Sequence, residues 1–348
     1  MSALVPALRR LPVHRLRGSN NEGVLVLCII VLSLVVGFSD SSFWSLPTLL
    51  NIGSASLENV VFAMAVLIII VSGGIDVSFM AIGIFAGYGV IVMTNHTGFG
   101  ASSAWVGFLL AAGIGILLGT LNAAAIAALR LPTLIVTLGT QSIIRGVLLA
   151  YVGSKVIPNY PHGLDKLSTN YLVTAHGSGG DTRLNILILP AVLICVAVSL
   201  LLRYTTLGRG IYAIGGDPES ARRAGFPVFG TQVFIYVFAG LLAGIAGMMH
   251  VTQVQLANPY ELVGGELDVI AAVVIGGASI FGGRGSVSGT VLGVVLIALI
   301  KNSLILLGVP GTWQRATVGL LLLVGVSAQA LSVRSRRQHV DVLAEAPA

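Results

Sequence analysis

The chain has 348 residues, of which 55% are hydrophobic and only 9% charged, with 44 glycines and a formal net charge of +6. A soluble domain carries about 25% charged residues, so this composition excludes an ordinary water-covered globule and fits a chain solvated by lipid. The positive charge gathers at the two tails and in one central loop, which reads as membrane orientation and not as nucleic-acid binding.

In chain order, residues 1–22 carry Arg9, Arg10, Arg15 and Arg17, a basic lead expected on the cytoplasmic side. The apolar run Val24–Phe38 is the first predicted span, and no small-x-small cleavage site follows it. Pro47 is expected to break any helix in an external stretch, Asp40–Asn51. The next spans are predicted over Leu57–Val71, Asp76–Met93, Ala104–Leu129 and Thr133–Val152. Residues 153–184 are polar and rich in Gly, Asn and Ser, and are expected to form the largest outer (periplasmic) loop. Further spans are predicted over Ile186–Leu202, Gln232–Val251, Val269–Phe281, Val287–Leu307 and Ala316–Leu331. The tail 332–348 then carries Arg334, Arg336 and Arg337.

The expected architecture is an all-α integral membrane domain over 23–331, with about ten transmembrane helices and both termini cytoplasmic. The second, third and eighth runs fall short of about 20 residues and are read as broken or partly re-entrant. Cys28 and Cys195 lie inside apolar runs, so no disulfide framework or zinc cluster is expected.

The stretch 204–229 is the one long polar segment of concentrated positive charge between the tails, with Arg203, Arg209, Arg222 and Arg223 in or beside it. Asp217 suits an N-cap, Pro218 the first helical position, and Glu219 the positive end of the helix dipole. Gly225 suits a left-handed C-terminal closure, and Pro227 stops continuation. A helix of about two turns, Pro218–Ala224, is therefore expected outside the bilayer, either as an ordered connector or as a docking helix for a cytoplasmic partner.

Two glycine-rich motifs interrupt the apolar runs. In Ser72-Gly73-Gly74-Ile75-Asp76-Val77-Ser78, a glycine suits the end of one helix and Asp76 the start of the next. A carboxylate near membrane depth also suits a transport path or its gate, and that alternative makes Glu58, Asn59, Gly73, Gly74, Asp76 and Ser78 the path candidates. The second motif contains Gly276, Gly277, Gly282, Gly283 and Gly285 and continues through Gly289 and Gly293. Glycines at 285, 289 and 293 share one helical face, so close helix packing is the expected use, as for Gly115 and Gly119 and for Gly240 and Gly244. No phosphate loop, metal-ligand spacing or nucleophile–base set is visible. Glu58, Glu261, Glu266 and Asp268 are expected near outer ends of spans, lining an entrance, meeting an external partner or resting at the interface.

Three features together, SGGIDVS, YAIGGDPESARRAG and ELDVIAAVVIGGASIFGGRGSVSGTVLG, resemble the ribose-type permeases of bacterial ABC sugar importers over about 24–331. The usual Leu-Ser-Val-Gly after the GGID is here Val77-Ser78-Phe79-Met80. The resemblance implies a bacterial inner-membrane subunit with the fold of the cobalamin-type (type II-like) importers, working as a homodimer or heterodimer. It implies two further partners, a cytoplasmic ABC ATPase that holds the ATP and magnesium, and a periplasmic sugar-binding protein. No cofactor and no enzyme activity are expected of the chain itself. Glu219-x-Ala221-x-x-x-Gly225 echoes a coupling motif, so Gly208, Arg209, Gly215, Asp217, Pro218, Glu219, Ala221, Arg222, Arg223 and Gly225 are the coupling candidates. Autoinducer-2, rhamnose, ribose and galactofuranose remain open as cargo. A branched-chain amino-acid ABC permease and an ion-coupled secondary transporter are the rival readings. The charge bias is checked by reporter fusions after Gly23 and after Ala348: both are expected to be active only in the cytoplasm.

Overall fold

The computed structural model describes residues 22–100, 103–158, 161–177, 180–323 and 327. The basic lead 1–21 and the Arg-rich tail, on which the expected position of the termini rests, lie outside the described residues. The first helix, α1, covers Glu22–Ser39, and a short turn over Ser41–Trp44 leads to α2, Leu46–Val71. Ser45 caps α2 by accepting from the Thr48 amide at 3.4 Å, and Pro47 occupies the first turn, where its missing N–H costs nothing. Pro47 thus begins a helix of 26 residues where the sequence reading had it breaking one. The second span is not short, and Glu58 and Asn59 lie well inside it rather than at its outer end.

Helix α2 is the hub of the molecule. From Val61 to Val71 every residue is buried, with α7, α10, α11 and α12 (Ile188–Tyr204, Val228–Val254, Glu266–Ile275 and Val287–Leu306) packed around it. Between them come α3, Phe79–Thr97, and α4, Ala104–Ala123, which runs on through a π turn at Ala124–Ala128. Helix α5, Thr133–Val147, continues likewise through Leu148–Val152. Helix α3 begins at Phe79 and not at Asp76, because residues 72–78 are non-helical.

The segment 153–184 is not wholly irregular, and the chain is not all-α. After the short α6, His162–Ser168, strands β1 (Tyr171–Gly177) and β2 (Gly180–Asn185) form an antiparallel hairpin. β-formers such as Tyr171, Val173, Thr174 and Thr182 flank a glycine-rich turn there. The segment after α7 also holds more structure than expected. Helix α8, Thr206–Gly216, turns away from α7 by 74°, and it buries Gly208, Gly210, Ile211, Ile214 and Gly215. The expected short helix follows as α9, Pro218–Arg223.

Among the described residues, seven helices are long and apolar enough to cross a membrane, or eight if the bent pair α7–α8 is one span. The remaining two segments read as spans are α11, a helix of only 10 residues, and a helical run over 311–323. Mutual approach of glycines holds several of these helices together. A Cβ on Gly115 of α4 would stand 2.2 Å from the Gly240 carbonyl of α10, and one on Gly240 would stand 2.3 Å from the Gly115 carbonyl. Gly276 and Gly289 join α11 to α12 in the same way, while a Cβ on Gly293 would stand 2.0 Å from the Ala272 carbonyl. Gly285 departs from the expected stripe: it precedes the Ser286 cap of α12 and packs on Val71 and Leu67.

Gly240→Val is therefore expected to destabilise the protein by about 3 kcal/mol, since backbone cannot retreat as a side chain can. Gly139→Ala, with nothing within 4 Å of its Cβ, should leave the melting temperature in detergent unchanged.

Candidate functional site

One local device closes α2, α9 and α11, and also α12, where Gly308 (φ +71°) donates to Ile305 and Val309 to Leu304. At the end of α2, Ser72 is the C-cap and Gly73 takes φ +85°; Gly73 N–H donates to the Ile70 carbonyl and Gly74 N–H to Ile69. The same pair of bonds closes α9, where Gly225 (φ +87°) donates to Arg222 and Phe226 to Ala221. It closes α11 as well, where Gly277 (φ +94°) donates to Val274 and Ala278 to Val273. Each is a Schellman closure that requires a residue free of a Cβ at its left-handed position.

The breaks after α2 and α11 meet. The Val71 carbonyl accepts from the Gly283 amide at 2.8 Å, so the end of α2 is bonded to the loop that follows α11. Gly215, in the last turn of α8, lies between them: a Cβ there would be 1.8 Å from the Val71 carbonyl and 2.6 Å from the Gly283 nitrogen. A Cβ on Gly73 would stand 3.6 Å from the Gly215 Cα, and one on Gly282 would reach the Gly215 carbonyl at 2.3 Å. Thus Gly73, Gly215, Gly282 and Gly283, read from sequence as parts of three separate motifs, form one backbone junction at the end of α8, the helix that leads into α9.

The coupling candidates divide between this junction and a surface. Arg209, Asp217, Pro218, Glu219, Arg222, Arg223 and Gly225 are exposed, whereas Gly208, Gly215 and Ala221 are buried. Gly208 lies in the α7–α8 bend, where a Cβ would fall 2.3 Å from the Leu201 carbonyl. Asp217 caps α9 as expected, accepting from the amides of Glu219 at 3.3 Å and Ser220 at 3.0 Å. The Ser220 hydroxyl and these amides hold its carboxyl below the usual range, so the cap is fully charged above the ordinary value of 3.8 and is lost only as the pH falls below it. Glu219 pairs with Arg222 at 3.3 Å and with Arg223 at 3.6 Å on its own helix.

Asp76 is buried, at 4% exposure, in the break between α2 and α3. It does not itself cap α3; Ser78 holds that position. The Asp76 carboxylate accepts from the Ser78 amide at 2.6 Å and the Ser78 hydroxyl at 2.7 Å, and Asn122 of α4 donates to that hydroxyl at 2.8 Å. Thr133 and Thr137 of α5 accept from the amides of Ile75 and Val77. The break is thereby stitched to two further helices.

Farther along α2 lies a chain of ion pairs. His250 of α10 bonds Glu58 through Nδ1 at 2.8 Å and Glu261 through Nε2 at 2.9 Å. Glu266 takes both Gln141 and Arg145 of α5, and Asp268 takes Lys301 of α12. Sequence reasoning named the four carboxylates and missed His250, Gln141, Arg145 and Lys301 as their partners. The signal was present: a basic side chain inside an apolar run requires a buried acid. Beside the pairs is a cavity of about 320 Å³, lined on its polar side by Glu58, Asn59, Asp268, Lys301, Asn302 and Gln314. It is of a size that holds a small ligand. Asn302 Oδ1 has no hydrogen-bond partner among the described residues.

Breaking the Arg145–Glu266 pair leaves a carboxylate that is 6% exposed with only Gln141 beside it. Arg145→Met is expected to cost about 3–5 kcal/mol, and adding Glu266→Gln should recover much of the loss in a thermal-melt double-mutant cycle.

Comparison with known proteins follows the same line. Residues 48–326 match the family described as branched-chain amino acid transport system, permease component. The autoinducer 2 import system permease protein LsrC of Yersinia pestis (strain Pestoides F) is 32% identical over 307 residues, covering 88% of this chain and 83% of that protein. LsrC of Yersinia pseudotuberculosis serotype O:1b (strain IP 31758) is 31% identical over the same shares. No solved structure matches. The chain is a membrane-spanning transport subunit and belongs to this family of importer permeases.

Proposed function

We propose that the chain carries a small, uncharged, polyhydroxylated molecule, a free monosaccharide or a signalling sugar of the autoinducer-2 class, into the cytoplasm. The full topology we propose is about ten spans in the cobalamin-type arrangement, with both termini cytoplasmic and α9 facing a cytoplasmic ATPase. ATP and magnesium belong to that ATPase, two permease subunits form the pore, and a periplasmic binding protein delivers the sugar. The cavity supports the choice of cargo. Its cation, Lys301, is already paired with Asp268, so no free positive charge among the described lining residues awaits an anion, while Asn59, Asn302 and Gln314 offer amides to hydroxyl groups.

The observation that carries the mechanism is the backbone junction of Gly73, Gly215, Gly282 and Gly283. A push on α9 reaches α8 and, with no side chain in between to absorb it, the ends of α2 and α11. Those two helices carry Glu58, Asn59 and Asp268 on the cavity wall, so a displacement of α9 biases the site between outward- and inward-facing states. Asp76, bonded to Ser78, holds the same break from the α3 side.

The test is uptake into proteoliposomes containing the permease, its ATPase and its binding protein, with radiolabelled ribose, autoinducer-2 and leucine as alternative substrates. Sugar-class uptake is expected; uptake of leucine alone would favour the amino-acid rival, and uptake without the ATPase would favour a secondary transporter. Gly225→Val forces a β-branched residue into a left-handed conformation, and Glu219→Lys reverses a charge at the dipole. Both should assemble yet lose substrate-stimulated ATP turnover and uptake by about ten-fold, a 1.4 kcal/mol effect. Asp76→Asn should fold and transport more slowly. Full activity in all three would reduce these segments to connectors.

A further inference from the structure

A second cavity belongs to neither the polar chain along α2 nor the glycine junction. It has a volume of about 710 Å³ and lies between α1, α7, α8 and the segment that starts α12. Helix α7 presents Cys195, Val196, Ser199, Leu202 and Arg203 to it, residues spaced along one helical face. The first turn of α1 contributes Glu22, and the start of α12 contributes Ser286 and Ser288. One wall end is therefore apolar and the other carries two charges of opposite sign.

Those charges do not pair with each other. Glu22 Oε1 accepts from the Ser286 hydroxyl at 2.7 Å and the Ser288 hydroxyl at 2.6 Å, which fixes the carboxylate while its second oxygen has no bond among the described residues. Arg203 is exposed, with its guanidinium 5.4 Å from the Tyr204 ring and no ion pair among the described residues. The helices on either side are lipid-facing in character. Helix α1 exposes Val24, Leu27 and Val31, and α7 exposes Leu189, Val192 and Leu193. The charged end of the cavity thus lies at the ends of two membrane helices, where lipid headgroups are found, and its apolar end leads into the groove between them.

We infer that this cavity is a binding site for one phospholipid with a zwitterionic primary-amine headgroup, phosphatidylethanolamine in chemical class. The phosphate would meet Arg203, the ammonium would donate to Glu22, and an acyl chain would follow the α1–α7 groove. Charge complementarity selects this occupant. Phosphatidylglycerol offers Glu22 no cation, and the methyl groups of choline leave no N–H to donate. A water-soluble ligand would gain nothing from the apolar end.

The experiment places the full-length chain in nanodiscs of phosphatidylethanolamine with phosphatidylglycerol, or of phosphatidylcholine with phosphatidylglycerol at equal anionic content. Retained lipid is then counted by native mass spectrometry. The wild type is expected to keep one phosphatidylethanolamine through detergent exchange and to keep phosphatidylcholine about ten-fold less well. Arg203→Gln and Glu22→Gln should each abolish that preference, and Arg315→Gln, which does not line the cavity, should not. O-Phosphoethanolamine in solution should fail to displace the lipid. Equal retention of the two lipids by the wild type overturns the proposal, as does an unchanged preference in both cavity variants or displacement by the soluble headgroup. Should a variant fail to fold, the wild-type comparison of the two lipids decides alone.

Discussion

The structure depends on how one helix end is satisfied. Helix α2 is buried on all sides over its second half, so its last carbonyls can reach neither water nor lipid headgroups. Away from water, each such group left without a partner costs several kcal/mol. The Schellman bonds take the carbonyls of Ile69 and Ile70, and the Gly283 amide takes that of Val71. The last bond requires the loop after α11 to come into backbone contact, and that in turn requires glycine at 215, 282 and 283. The break in α11, the bend between α7 and α8 and the placement of α9 are then consequences of one unsatisfied helix terminus.

The polar chain beside α2 follows the same rule in electrostatic form. A charge taken out of water is tolerated only with a partner and further hydrogen bonds. Arg145 and Lys301 each have a carboxylate, and His250 has two. The pairs come from different helices, Glu58 with His250, Gln141 and Arg145 with Glu266, and Asp268 with Lys301, so they specify which helices are neighbours where apolar packing alone would accept several registers. Their place along the cavity wall puts the specific part of the fold and the candidate transport route in one region.

Much of this was legible in the residues. Asp217, Pro218 and Gly225 marked the limits of α9, because caps act over a few residues and leave a local signature. Gly115, Gly119, Gly240 and Gly244 marked a packing face for the same reason. What could not be read was partnership between distant segments. Nothing local says that Gly73 meets Gly215, or that His250 lies between Glu58 and Glu261. Local signals also mislead in places: Pro47 starts a helix and does not break one because Ser45 caps it, and the amphipathic α8 lies in a segment whose polar residues resemble a loop. The hairpin at β1 and β2 was masked by its polar, glycine-rich composition.

The self-pairing within α9 has a consequence for assembly. Asp217 and Glu219 carry two negative charges and Arg222 and Arg223 two positive ones, and Glu219 is bonded to both arginines. The helix therefore projects almost no net field beyond a Debye length of about 8 Å at physiological salt. A surface of this kind presents shape rather than potential. The helix itself thus adds little long-range steering, which is left to the exposed Arg209 on α8, and fidelity comes from the fit of the helix after contact.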